Sequence, residues 1–439
     1  MAAPRRIVIG AGPGGLQAAA ALASSGVAVT LLQQGPTPSG LQHPHQPLSG
    51  GWMRVRAEAK PSLEAILGPL APADPPTRSI FANGEILSLP LRPWQVHPLF
   101  GRGAQADAAR DWLSARMRTA TAELTGSGQE ERTYQDWVVR RMGIAALETL
   151  YVSYARRRWA RSVDALSASL ARVHHGMPDV GPFVVDGNTA EQRRQRMADV
   201  ITGQGGQIFT DAQISAIHID DGVVSGVSSA HGDFPVAEDL WVAASPAVVN
   251  QWLGDHADTS MQVDARYLAA LPSVIVAAPI EVKAYPDEIH VLDDALPFWC
   301  VRFPRNAPGL ALFQVTLPEA DAPLDVASLT DAILNGAKAM GLSIGDNVMI
   351  ERIEDHQPIW VQGGHARLRR NLRLWRKMRI VGVGRAGFHA DLDLGQHLEL
   401  LMRYAREDAP DQAELHRLFL DPPVRFSDLD ARITRWLTR

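Results

Sequence analysis

Ile7-Val8-Ile9-Gly10-Ala11-Gly12-Pro13-Gly14-Gly15-Leu16 decides the fold of this chain. A short apolar strand runs into glycines spaced GxGxxG at Gly10, Gly12 and Gly15, and then into the Ala-rich run Leu16 to Ala23. That order is strand, tight turn, helix. Gly10 permits the turn, Gly12 lets the backbone approach a pyrophosphate, and Gly15 lets helix and strand pack closely. The free amides at the helix start, with the helix dipole, favour a phosphate charge. A second strand, Val27 to Leu32, follows Ser25-Gly26 and completes a β-α-β unit of about 30 residues. The end of that strand commonly carries an acid that binds a ribose. Here the place holds Gln33, whose amide still hydrogen-bonds hydroxyls but without carboxylate strength.

The second strand leads into a loop of Gly, Pro, His and Gln over residues 34–60. Ile80-Phe81 and Ile86 to Leu91 flank Asn83-Gly84, a type I′ hairpin signal. Residues 104–172 are helical in pattern, broken at Gly126-Ser127-Gly128, with a cap at Thr133 to Gln135. A helix over 189–203 precedes alternating strands around Ile214, Ile217, Val223 and Val227, turned at Asp220-Asp221-Gly222. Leu240 to Ala244 is a buried strand; 270–316 is β-rich; 326–341 is helical. Met378 to Val383 is a last buried strand, followed by a glycine turn and a helix from Leu394 to Arg406. Nucleotide-type segments therefore recur near 7–51, 187–245 and 378–406, separated by a helical and a β-rich insertion. The expected fold is α/β: a discontinuous Rossmann-type domain from 1–90, 187–255 and 370–410. A substrate domain of helices (91–186) and mixed β-sheet (256–369) and a helical tail (411–439) complete it.

Length of 439 residues, 46% hydrophobic and 21% charged content describe a folded globular chain of two or three domains. A net charge of −5 argues against nucleic acid as a partner. Cys300 is the only cysteine, so an internal disulfide and a Cys-based metal site are excluded, and its apolar setting marks it as inert. No metal site is expected; His174-His175 lacks partner carboxylates at ligand spacing. No apolar run of about 18 residues spans a membrane, and no targeting segment precedes the first strand, so a cytoplasmic location is the default. The stripe Phe426, Leu429, Ile433, Trp436 either docks on the body or touches a membrane surface.

Four segments in order resemble the FAD-dependent amine oxidase superfamily, in its protoporphyrinogen-oxidase-like, phytoene-desaturase-like and UDP-galactopyranose-mutase-like branch. The first is Gly10 to Leu16 with Leu31-Leu32-Gln33 and the loop Ser39-Gly40 and Gly50-Gly51-Trp52. The second is Tyr134 to Gly143, leading to Tyr151-Val152-Ser153-Tyr154-Ala155-Arg156-Arg157-Arg158-Trp159-Ala160. There Ala155 replaces the Thr of the family pattern and Ala160 its Gly. The third is Gly187 through Ile217 with Asp239 to Pro246, and the fourth Val381 to His389 with Asp391 and Asp393. The resemblance implies a non-covalent FAD held by Gly10, Gly12, Pro13, Gly14, Gly15, Gln33, Gly40, Ile214, Gly384 and Asp393, with Asp391 as second choice for the ribityl acid. It also implies a small-molecule substrate and an oxidoreductase.

Amine oxidases proper often carry a Lys near the flavin in the strand equivalent to Leu271 to Val276, which has none. That favours desaturation of a ring or polyene, or a redox-neutral isomerase or mutase. A degenerate, non-catalytic flavoprotein is the third reading, from Gln33, Ser39 and Ala160. Tyr151, Tyr154 and Arg158 share one helical face, so Tyr154 and Arg158 are the candidate catalytic residues. Arg158 there grips a substrate anion; the alternative is a solvated charged face beside a core tyrosine pair. Trp94, His97, Phe298, Trp299 and Trp360 line the substrate pocket or pack in the core.

Overall fold

The structure is a computed structural model that describes residues 5–10, 12–35, 52–55, 60–89, 95, 99–100, 105–125, 131–171, 183–186, 188, 190–268, 270–305, 307–318, 324–384, 398 and 401. At its centre is a parallel sheet ordered Ile380–Gly382, Leu240–Val242, Arg6–Ile9, Val29–Leu32, Gln207–Phe209. Its strands are short and apolar, and a parallel sheet must be covered on both faces. The helix Pro13–Ser24 covers one face. It has almost no polar side: Ala18 to Ala23 are all fully buried, and such a helix belongs inside. Small alanines also let it lie close to the sheet and to the helix Ala190–Gly203. Leu398 and Leu401 are buried in the same core. The rest of the helix expected over Leu394 to Arg406 lies outside the described residues.

The first strand sits at the point where the order reverses. From Arg6–Ile9 the chain moves outward to Val29–Leu32, and later returns to the other side with Leu240–Val242. Such a switch point opens a crevice at the carboxyl ends of the strands.

A second sheet carries seven strands in the order Met349–Pro358, Ala270–Pro279, Leu310–Thr316, Cys300–Arg302, Glu288–Val291, Arg78–Ala82, Glu85–Ser88. All pairs are antiparallel except Arg78–Ala82 with Glu288–Val291. The hairpin forms as expected: Ala82 pairs with Glu85, and Asn83 and Gly84 take φ of 50° and 80°, the two left-handed values of a type I′ turn. It stops at Ser88 rather than Leu91, and it belongs to this second sheet although it lies within residues 1–90. Asp221 and Gly222 repeat the same turn between Ala216–Asp220 and Val223–Ser229. Ile214 precedes these strands in a loop.

Between the sheets in sequence runs the helical insertion. Gln105–Thr125 packs on Tyr134–Met142, whose start is a capping box: Asp136 N–H donates to Thr133 Oγ1 while the Asp136 carboxylate accepts from Thr133 N–H. After Gly143 the chain turns through Ile144–Ala146 into a π-helical turn, Leu147–Tyr151, and on into Val152–Trp159.

Candidate cofactor and substrate site

The glycine turn has the geometry that its spacing implies. Gly10 takes φ 90°, and its N–H donates to Leu32 O at 2.7 Å. Gly12 caps the helix, and Leu16 N–H donates to Gly12 O at 3.0 Å. A side chain on Gly15 would place its Cβ 1.5 Å from Gly10 O, so helix and strand are in contact there. A Cβ on Gly12 would meet nothing within 4 Å among the described residues. On Gly14 it would lie 2.3 Å from the Cα of Gly384, so the N-terminal and C-terminal glycine turns touch backbone to backbone. Pro13 opens the helix. Gln33 is held by its main chain: N–H donates to Phe209 O at 2.8 Å and its carbonyl accepts from Ala212 N–H at 2.6 Å. Ile214 is buried in the core. Gly40, Asp391 and Asp393 lie outside the described residues, as do Ser39, Gly50-Gly51, Trp94, His97, His174-His175 and Phe426 to Trp436.

Open space over Gly12, a helix start without a capping side chain, and the crevice at the switch point fit a dinucleotide pyrophosphate. Gly10, Gly12, Gly14, Gly15 and Gly384 are the residues that would line such a cradle, and Gln33 follows the strand beside it.

The Tyr–Arg face is buried, which removes the solvated-face alternative for Arg158: it is 2% exposed. Arg158 Nη1–H donates to the Tyr154 hydroxyl at 2.6 Å, and the guanidinium lies 4.1 Å from the Trp299 ring and 4.8 Å from that of Trp159. Its neighbour Arg157 donates to the carbonyls of Leu296, Phe298 and Val291 at 3.0–3.1 Å. Thr316 Oγ1–H donates to Arg158 O, so the helix is fixed to the second sheet.

The chain continues beyond Tyr154. Its hydroxyl lies 2.8 Å from His290 Nδ1, and His290 Nε2 faces Glu288 Oε2 across 3.8 Å. Arg302 Nε stands 2.9 Å and Arg78 Nε 3.1 Å from the Glu288 carboxylate. Burial opposes its charge, yet Arg302, His290 and Arg78 hold Glu288 well below the usual carboxylate range. Burial pushes His290 down against the pull of Glu288. Burial also raises Tyr154 to about 12, opposed by Arg158, and Cys300 to about 12. All four protonation states follow at neutral pH: Tyr154, His290 and Cys300 neutral, Glu288 charged.

Glu288, His290, Arg302 and Arg78 escaped the sequence reading. Their signal was an acid and a histidine two apart within an apolar β segment, hence on one face of the strand. Cys300 pairs with His290 across two strands and is buried, as expected. Phe298 and Trp299 are core residues. Trp360 stacks on His365 at 3.9 Å, and His365 bonds Ser169, which bonds Ser167.

The profile of the NAD(P)-binding Rossmann-like domain family matches residues 8–60. No curated protein matches the chain. Among solved structures, reduced UDP-galactopyranose mutase superposes with a TM-score of 0.73 at 15% identity, covering 94% of this chain and 97% of that one. A putative protoporphyrinogen oxidase from Exiguobacterium sp. 255-15 gives 0.66 at 17%, covering 92% and 98%. Cyclohexylamine oxidase from Brevibacterium oxydans IH-35A gives 0.60 at 15%, covering 94% and 99%. The chain shares its overall fold with these three proteins. Among the described residues no helix is long and apolar enough to cross a membrane.

Proposed function

We propose that this chain is an FAD-dependent oxidoreductase, an oxidase, dehydrogenase or desaturase, acting on a small organic metabolite, cyclic or conjugated. The observation that carries the reading is the contact of Gly14 with Gly384 beside the open space at Gly12, which brings two glycine turns to one crevice. Gly10, Gly12, Pro13, Gly14, Gly15, Gln33, Gly40, Ile214, Gly384 and Asp393 hold the cofactor in this reading, non-covalently. When bound, FAD supplies the hydride acceptor at N5. The protein excludes water and orients the substrate, and Arg158, with Tyr154, anchors an anionic group of it. The nucleotide-binding unit comprises 1–90, 187–255 and 370–410, less the hairpin that pairs with the second sheet. Purified protein should release a yellow, flavin-absorbing supernatant on denaturation. A colourless protein that takes up no added FAD would sink the reading.

The likeness to reduced UDP-galactopyranose mutase favours a second reading, a redox-neutral isomerase or sugar mutase. Activity that appears only after prior reduction of the flavin selects it.

A further inference from the structure

We propose that Ser273 and Gln314 form a subsite for a hydroxyl group of the substrate, on the face of the second sheet that carries the helix of Arg158. The proposal deepens the reading of Arg158 as an anion anchor and rests on it only for the other end of the substrate.

The register of the sheet places the two side chains. Residues directly opposite one another on paired strands point to the same face, as do residues two apart on one strand. His290 is opposite Cys300, Cys300 opposite Gln314, and Gln314 opposite Ile275. Ser273 and Thr316, two residues along from Ile275 and Gln314, face each other on that same side. The side is the one under Val152–Trp159, because His290 meets Tyr154 and Thr316 Oγ1–H donates to Arg158 O. Along its strand Ser273 lies between Leu271, part of the main core, and Ile275, which packs with Ala277 and Leu312. A polar pair thus separates two apolar clusters.

Both side chains are buried, and neither Ser273 Oγ nor Gln314 Oε1 has a hydrogen-bond partner among the described residues. Their neighbours in the sheet explain this. Ser273 stands between Thr316, whose hydroxyl is turned to Arg158 O, and the apolar Ile353. Gln314 stands between Ile275 and Cys300. Buried polar atoms left unserved are costly, and a native protein that keeps them calls for an occupant. Diagonal neighbours in a sheet are about 7–8 Å apart, a span that one small group bridges. A hydroxyl suits both atoms: it donates to Gln314 Oε1 and accepts from Ser273 Oγ–H, and it serves the amide turned either way. A carboxylate has no proton for Oε1, and an ammonium would bring a charge into a buried place. Trp299 Nε1, also buried without a partner among the described residues, belongs to the ring 4.1 Å from the Arg158 guanidinium. The substrate class is therefore a hydroxy acid, with its anion at Arg158 and its hydroxyl at Ser273 and Gln314.

The test uses the full chain loaded with FAD and ligand-observed nuclear magnetic resonance titrations with toluene, phenol and benzoate. Phenol should bind the parent about tenfold tighter than toluene, and no tighter than toluene in Gln314→Leu or Ser273→Ala. A parent that does not separate phenol from toluene overturns the proposal, as does a preference for phenol that survives in both variants. Thermal midpoints without added ligand decide between substrate and ordered water as the occupant. Each variant removes an unpaired buried polar atom, so each should melt at the parent's midpoint or up to about 2 °C above it. A fall of several degrees in both, or failure of both to fold, shows that water already partners these atoms and overturns the proposal. Benzoate reports on the anchor alone: Arg158→Ala should weaken it while Gln314→Leu leaves it unchanged. A parent indifferent to benzoate removes the anchor reading, while phenol and the midpoints still decide the subsite.

Discussion

Ala160 caps the helix Val152–Trp159 at φ 48°, ψ 34°, the left-handed region, with its N–H donating to Arg156 O at 2.9 Å. This is the position where the resemblance expected glycine, and the backbone has kept the glycine conformation while the residue has changed. A Cβ there costs about 1–2 kcal/mol, partly offset because alanine restricts the unfolded chain. Ala160→Gly should therefore stabilise by about 0.5–1 kcal/mol, seen as a higher urea midpoint at unchanged slope; a lower midpoint would show that the αL strain is absorbed elsewhere. The two ends of the phosphate turn should separate in the same kind of assay. Gly12→Val adds atoms where no described residue lies within 4 Å, so it should fold and, under the proposed function, lose flavin. Gly15→Ala meets Gly10 O at 1.5 Å and should fold poorly. Soluble Gly12→Val with normal flavin content would make this loop a turn and nothing more. Those glycines were legible in sequence because their constraint is local. Arg158 was legible as a candidate from its helical spacing to Tyr154, but its burial was not, because three consecutive arginines look alike in sequence and differ only in which neighbours bury them.

At the level of elements, Val152–Trp159 is fastened by side chains facing in several directions. Arg157 alone satisfies three carbonyls of the loop between Val291 and Phe298. Its replacement by Met keeps most of the stem but leaves those acceptors without their donor, at a cost of about 1–3 kcal/mol in total after local relaxation. A thermal midpoint within a degree of the parent would mean that water replaces the guanidinium without loss. The capping box at Thr133 and the Asn83-Gly84 hairpin were readable because their partners lie a few residues apart. The π-turn Leu147–Tyr151 was not, since one extra residue in a turn leaves no mark on an apolar pattern. Nor was the strand Glu288–Val291 as a functional element: its partner Tyr154 is separated from His290 by 136 positions.

On the scale of the whole molecule, the buried chain makes stability depend on pH. The folded state lowers His290 below its ordinary 6.5 and Glu288 well below the carboxylate range. Both favour the deprotonated form when folded, so their contribution is present above the unfolded values and is lost as pH falls through the folded ones. The thermal midpoint should hold near pH 7–8 and begin to drop below about pH 6.5, first through His290 and then, near the carboxylate range, through Glu288. His290→Asn should remove the upper part of that decline; an unchanged profile would assign it to other groups. The order of segments was legible at this scale because each strand–turn–helix unit carries its own glycines, whereas the lateral order of strands is a tertiary outcome. The contact of Gly14 with Gly384 has one more consequence, in time rather than space. A ribosome adding roughly 5–20 residues per second needs about 20–70 s between making the two turns. Through that interval the first turn emerges without its counterpart, so the crevice closes only after nearly 390 residues have been made, and under the proposed function flavin capture is a late event of synthesis.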